Sequence, residues 1–328
     1  MVKLSRSRKR DSGAALLLSL WALFLLAGVV FAWALSINSR LTVSATATRV
    51  LSAEAMASSG AEVALNPTIK PASANLHKKM GTDSYDVEMT GECGRINLNL
   101  LAPGGAENPV LVAALRQYLN INGVDLNDLD VMMDSLLDWI TPTKGLHRLN
   151  APEETDDYRP SHAPLTSVDE LKKIFGWAEY TSHPGWDEDF TTMIGACQQI
   201  DAAYASRDVL RAFGIPDDFV DRFLQARAGP DAVDGTADDP QMDQQMAFSL
   251  LGIRPGAAAP APAPVPGGTG TTPQVNGVQS LIVFKSPNPV FRIVSVGKSR
   301  DVTRSVEMIV LKQPGGAGRP QVFSWKEL

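Results

Sequence analysis

Between Ala14 and Ile37 the chain runs for 24 residues, AALLLSLWALFLLAGVVFAWALSI, without a charge. As a helix this stretch is about 36 Å long, enough to cross a hydrocarbon core of about 30 Å. Its polar exceptions, Ser19 and Ser36, can bond to preceding helical carbonyls, and Trp33 stands near the far end, where indoles favour the interface. Polarity rises after Ile37. Even so, Leu41, Ala45, Thr48, Leu51, Ala55 and Ala61 keep a small or apolar face at helical spacing. Asn66-Pro67 and Lys70-Pro71 then end the pattern. The spacing predicts one helix of about fifty residues, its first half in lipid or a filament core and its second half against a globular head.

Further along, Tyr85–Met89 and Arg95–Leu98 alternate in character and read as short strands around a Gly91/Gly94 turn. Asn108–Leu119, Leu126–Ile140, Val168–Phe175, Arg207–Phe213 and Asp217–Arg227 are helical windows. Pro255–Pro273 is Pro, Ala and Gly with little able to build a core, so it reads as an exposed linker. After it the period becomes two: Ser280–Phe284, Val290–Val296, Thr303–Leu311 and Gln321–Trp325 read as strands. The order predicts an α+β fold, in which a long N-terminal helix packs on a small antiparallel sheet interrupted by a large all-helical insertion. Separate β and α domains in series are the alternative.

Charge gives the anchor a direction. Five of the 30 Lys and Arg residues (Lys3, Arg6, Arg8, Lys9 and Arg10) precede the apolar run. Beyond Gly13 there are 25 basic and 35 acidic residues, a formal charge of −10. The basic flank should stay in the cytoplasm and send the rest outward. An acidic body opposes non-specific binding to nucleic acid. An ordinary secretory signal would be cut after the apolar run. Gly13 instead lies before it, and cleavage there would leave Ala14 at the start of an intact hydrophobic helix. Two cysteines, Cys93 and Cys197, are free to bridge or to stay as buried thiols.

The Gly13–Ala14 junction before such a run resembles the prepilin peptidase site of type IV pilins. Most pilins carry a glutamate at the fifth mature position; here it is Leu18. The K family of minor pseudopilins in type II secretion (general secretion pathway protein K) characteristically lacks that glutamate. Further segments resemble the same family: GRINLNLL at Gly94–Leu101, MDSLLDWI at Met133–Ile140, PLTSVDELKKIFGW at Pro164–Trp177 and FRIVSVGKSRDVTRSVEMIVL at Phe291–Leu311. The resemblance implies a pilin-like head and an inner-membrane anchor with a cytoplasmic N-terminus and a periplasmic C-terminal head. It implies processing and methylation, and a place at the pseudopilus tip with the I and J pseudopilins. The prepilin peptidase and the inner-membrane assembly platform would be further partners. Boundaries follow: a basic leader at 1–13, the transmembrane and N-terminal helix at 14–65, and the first part of the head at 66–107. The insertion takes 108–254, the linker 255–277 and the closing strands 278–328.

The resemblance also implies calcium, held by clustered carboxylates in the head. Thr141-Pro142-Thr143 departs from the family's Asp-x-Asp after Asp-Trp-Ile. Glu153, Glu154, Asp156 and Asp157, with Asp138 nearby, form one group of candidate ligands; Asp231, Asp234, Asp238 and Asp239 form a second. Solvated acidic loops are the alternative at both. No hydrolase motif joins the four scattered histidines, and Asp187–Asp189 reads as an acidic surface turn. Phe213-Gly214-Ile215-Pro216 with Phe219, Phe223, Leu224 and Arg227 resembles half of a helix–hairpin–helix, which makes a DNA-binding pilus-like subunit the second reading. Asp217, Asp218 and Asp221 crowd the same end and oppose phosphate.

Overall fold

The computed structural model describes residues 11–142, 148–234, 236, 240–253, 280–313 and 320–328. The basic segment 1–10, Asp238, Asp239 and the expected linker 255–277 lie outside the described residues. Helix α1 (Asp11–Leu65) is unbroken over 55 residues. From Ala14 onward it is long and apolar enough to cross a membrane, and its most apolar window is wholly unburied. Leu16, Leu18, Phe24, Leu25, Phe31 and Leu35 project from it on every side.

The second half of α1 changes character on one face. Ala53, Ala57, Ala61 and Ala64 are fully buried there, a stripe that three- and four-residue spacing produces. The stripe lies on a five-stranded antiparallel sheet ordered β1 (His77–Met80), β2 (Asp83–Gly91), β7 (Val290–Ser299), β8 (Val302–Leu311) and β9 (Gln321–Glu327). Val87, Ile293, Met308 and Val310 supply its apolar face. Contact is close enough to require glycine. A Cβ at Gly297 would run into the carbonyl oxygen of Ala53 and the backbone nitrogen of Ala57. Gly60 on the helix meets Ser295, Val87 and Tyr85 in the same way.

The chain leaves the sheet at the end of β2 and returns at the start of β7. Between them stand α2 (Pro109–Ile121), α3 (Leu126–Ile140), α4 (Arg207–Ala212), α5 (Asp217–Arg227) and α6 (Gln244–Leu250). Their own core contains Trp177, Phe190, Phe223, Leu115 and Met132, all buried. The expected sheet with an intervening insertion is therefore present, and serial domains are not. Two short parallel pairs lie alongside the helices: β3 (Ile96–Asn97) with β4 (Phe190–Thr191), and β5 (Ile200–Asp201) with β6 (Ile282–Val283).

These pairs correct two details. Tyr85–Met89 and Arg95–Leu98 do not form a hairpin around Gly91 and Gly94. The glycines instead admit the insertion: a Cβ at Gly91 would strike the ring of Tyr204, and one at Gly94 the backbone of Tyr204 and Ala205. The Ser280–Phe284 window yields only β6, which pairs with the insertion rather than the head sheet. Lengthening Gly297 to Leu should push α1 off the sheet and cost about 1–3 kcal/mol. Thermal denaturation of detergent-purified protein should show a lower midpoint for Gly297→Leu. Gly28→Leu should leave the midpoint unchanged, since nothing lies within 4 Å of a Cβ there.

Candidate functional site

Two features set what this molecule can present: the grip on the upper end of α1, and the joint between head and insertion. Lys312, buried just beyond β8, donates from Nζ to the carbonyls of Ala64 (2.8 Å) and Ile69 (2.7 Å). An ammonium there satisfies a carbonyl of the last turn of α1 and opposes the negative end of its dipole. Burial pulls the Lys312 pKa down to about 8. Near the other end of the contact, Arg49 of α1 pairs with Asp301 at the β7–β8 turn (3.0 Å).

The joint centres on Glu92, which has no exposed surface. Its carboxylate accepts from Arg292 Nε (2.8 Å) and Nη2 (3.0 Å), from Arg95 Nη1 (2.9 Å) and from Thr191 Oγ1 (2.5 Å). Arg292 belongs to β7 of the sheet and Thr191 to β4 of the insertion, so one acid ties the two layers. Burial disfavours the Arg292 charge, yet Glu92 beside it holds its pKa above the usual value. Arg95 moves the other way, through burial and then the neighbouring Arg292. Arginine keeps its proton in either case.

Next to Glu92, Cys93 forms a disulfide with Cys197, with a Cα–Cα distance of 4.9 Å across a sequence separation of 104. Closing a loop of that length restricts the unfolded chain by about 4–5 kcal/mol on the chain-entropy account. Asn97 Nδ2 donates to the carbonyls of Met193 (2.9 Å) and Cys197 (3.0 Å), and Asn99 Nδ2 to those of Leu165 and Thr192 (both 2.9 Å). The alternation of the Gly94–Leu101 motif thus spends its asparagines on stitching the insertion down. Asp187–Asp189 is a turn with Glu188 exposed, but Asp189 is engaged within the insertion: Tyr118 donates to it at 3.0 Å, and burial pushes its carboxyl up.

The expected metal ligands are more dispersed. Glu154 contacts His162 Nε2 at 2.8 Å, Asp156 takes Arg159 at 2.8 Å, and Glu153 and Asp157 are exposed. Asp138 is buried on α3, close enough that its charge adds to the burial that raises the Tyr158 pKa. Asp231 accepts from the backbone of Val233 at 2.8 Å, and Asp234 receives Arg227 at two points, 3.0 and 2.7 Å. Among the described residues, no three or more His, Cys, Asp or Glu side chains are grouped to hold a metal ion. Gly13 and Ala14 fall in the first turn of α1.

The helical hairpin offers little to a phosphate. Arg207 is paired with Asp221 at 2.8 Å, and Arg211 with Asp217 at 2.6 Å and Asp208 at 3.1 Å. These cations are already neutralised by their own hairpin.

Glu92, Arg292 and Lys312 were not singled out in the sequence. The only signal is their setting: Glu92 and Cys93 are flanked by two glycines, and Arg292 lies in an apolar strand whose neighbours have no use for a charge. Removing one member of a buried pair strands the other, at about 3–5 kcal/mol. Glu92→Ala should therefore lower the unfolding free energy by that order, and Glu92→Ala combined with Arg292→Met should recover part of it. A double-mutant cycle by denaturant titration measures both; equal losses for the single and double variants would contradict the joint.

A solved structure shares this architecture. It is the crystal structure of the GspK–GspI–GspJ complex from the enterotoxigenic Escherichia coli type 2 secretion system. A chain of it superposes with a TM-score of 0.57 at 14% sequence identity, over 89% of this chain and 99% of that one. No family model matches the sequence, and neither does any curated protein. The present chain has the fold of a component of that complex: a long apolar N-terminal helix, an antiparallel sheet and further helices inserted between its strands.

Proposed function

We propose that this protein is a K-type minor pseudopilin, a non-enzymatic structural subunit at the tip of a type II secretion pseudopilus. One observation carries the reading. α1 passes without a break from a span apolar on all sides to a stripe of buried alanines under a sheet split by a large insertion, in a fold shared with a chain of the GspK–GspI–GspJ complex. A membrane subunit that must leave the bilayer for a helical bundle needs this single rod, since lipid and sister helices both present apolar surroundings.

In this proposal prepilin peptidase cuts after Gly13, and the new terminus at Ala14 is methylated. The apolar helix anchors in the inner membrane with its former basic flank cytoplasmic and its head periplasmic. Partners are the I and J pseudopilins and the assembly platform, and the outcome is priming of the filament that supports export. Leu18 supports the tip position, because it cannot neutralise the amino terminus of a subunit above. The Cys93–Cys197 bridge suits an oxidising compartment. No nucleic acid partner belongs to the reading.

Calcium is a further part of the proposal, at the Glu153–Asp157 loop with Asp138 and at the loop holding Asp231, Asp234, Asp238 and Asp239. It is supported by the density of carboxylates, which suits a hard cation taking six to eight oxygens. Chelator-treated protein should give a calorimetric heat and a higher unfolding temperature on adding calcium, with smaller effects for Asp231→Asn and Asp234→Asn. No heat and no shift would remove the metal from the account. The assembly claim has its own test. Detergent extracts of cells expressing the chain with I and J pseudopilins should yield a ternary complex on affinity purification through the I component. Loss of either partner should leave less of this chain bound. A chain that never co-purifies with them would overturn the proposal.

A further inference from the structure

Charge is segregated along this molecule. Positions 108–254 hold 25 acidic and 11 basic residues, whereas the remaining positions beyond Gly13 hold 14 basic against 10 acidic. The sheet register shows where each sign goes. Gly91 pairs with Phe291 at one end of β2, and Asp83 with Ser299 at the other. The acidic insertion departs from the Gly91 end. Arg49, about four turns before Ala64 on α1, pairs with Asp301 at the opposite end, while Lys312 binds the carbonyl of Ala64 in the last turn. The β7–β8 turn therefore points back toward the apolar span, and the β1–β2 turn joins it there, Arg300 donating its backbone N–H to Thr82 at 3.2 Å.

That end is basic. Lys79, Ser84, Lys298 and Thr303 form one cross-strand row, and Lys78, Tyr85, Gly297 and Arg304 the next. Lys78, Lys79, Lys298 and Arg300 are exposed, and none makes an ion pair among the described residues. Arg40 is exposed just past the span on α1 itself. Opposing them at this end are Asp83, which accepts from Ser299 at 2.8 Å, Asp86, exposed one row further on and paired with His77, Asp301, engaged by Arg49, and Glu54, 3.7 Å from Arg304. Arg49 lies about 18 Å along the helix from Ile37. Allowing for a lysine's reach and an ordinary helix tilt, the rim comes within about a Debye length of headgroups.

We infer that this basic rim is a docking surface for anionic phospholipid, holding the head down on the bilayer before assembly while the acidic insertion is held away. Extraction into a filament then breaks these contacts. Lipid is the occupant because α1 fixes the rim over the membrane surface, and a juxtamembrane cluster of lysines and arginines is attracted to a negative leaflet. The inference rests on α1 being a membrane anchor, and the test separates the two.

Full-length protein carrying a fluorophore on Thr82→Cys is reconstituted into vesicles of phosphatidylcholine, alone or mixed with phosphatidylglycerol, each doped with a headgroup-located quencher. Flotation with both vesicle types establishes the anchor; absence of flotation overturns anchor and rim together. In floated samples, quenching at Thr82→Cys should be at least about twofold stronger with phosphatidylglycerol and should disappear at high salt. It should also disappear when Lys78, Lys79, Lys298 and Arg300 are changed to Glu. A label on Gln313→Cys, at the far end of the sheet, should be indifferent to lipid charge. Equal quenching in both vesicle types, or quenching that survives the charge reversal, overturns the inference and leaves the rim to an acidic protein surface.

Discussion

A helix with two kinds of surface governs this structure. Its first half is exposed and apolar on every side, long enough to cross a membrane, where lipid would supply no partner for a polar group. Its second half has to be small on one side, because the sheet approaches it at backbone distance. Ala53, Ala57, Ala61 and Ala64 answer that demand from the helix, and Gly297 answers it from β7. Lys312 then closes the upper end by binding carbonyls around the helix terminus.

The insertion is fastened to that head with similar redundancy. The Glu92 carboxylate, the Cys93–Cys197 bridge, the amides of Asn97 and Asn99, and two short strand pairs all cross the same boundary. Each is costly to break because it is buried or covalent. Chain order explains why so many are needed. The insertion hangs from two neighbouring sheet termini, Gly91 and Val290, and without these ties it would pivot about them. The proposed charge polarity, basic toward lipid and acidic away from it, has meaning only if the two bodies keep one orientation.

Much of this was legible from pattern. The long helix, the strands at Val290 and Thr303, and the helical windows follow from periods of 3.6 and 2 that burial imposes. The Gly91/Gly94 region misled for a definable reason. Glycine marks turns and close approaches alike, and here Tyr204 fills the space that a hairpin reading leaves vacant. β1 went unforeseen because His77–Met80 is an exposed edge strand with no apolar alternation to give it away. Glu92 and Arg292 lie 200 positions apart, and no local period can announce a pair that only the topology brings together. The carboxylate loops show the converse: charge density is obvious in sequence, while convergence on a point is a property of the fold.

The central claim is that one apolar rod, trimmed of its basic leader, stays joined to the head. N-terminal sequencing of the protein extracted from membranes tests it most directly. The account predicts a mature chain that begins at Ala14, retains residues 14–37 and stays in the membrane fraction. A chain that begins beyond Ser36 and is recovered in soluble form would contradict it.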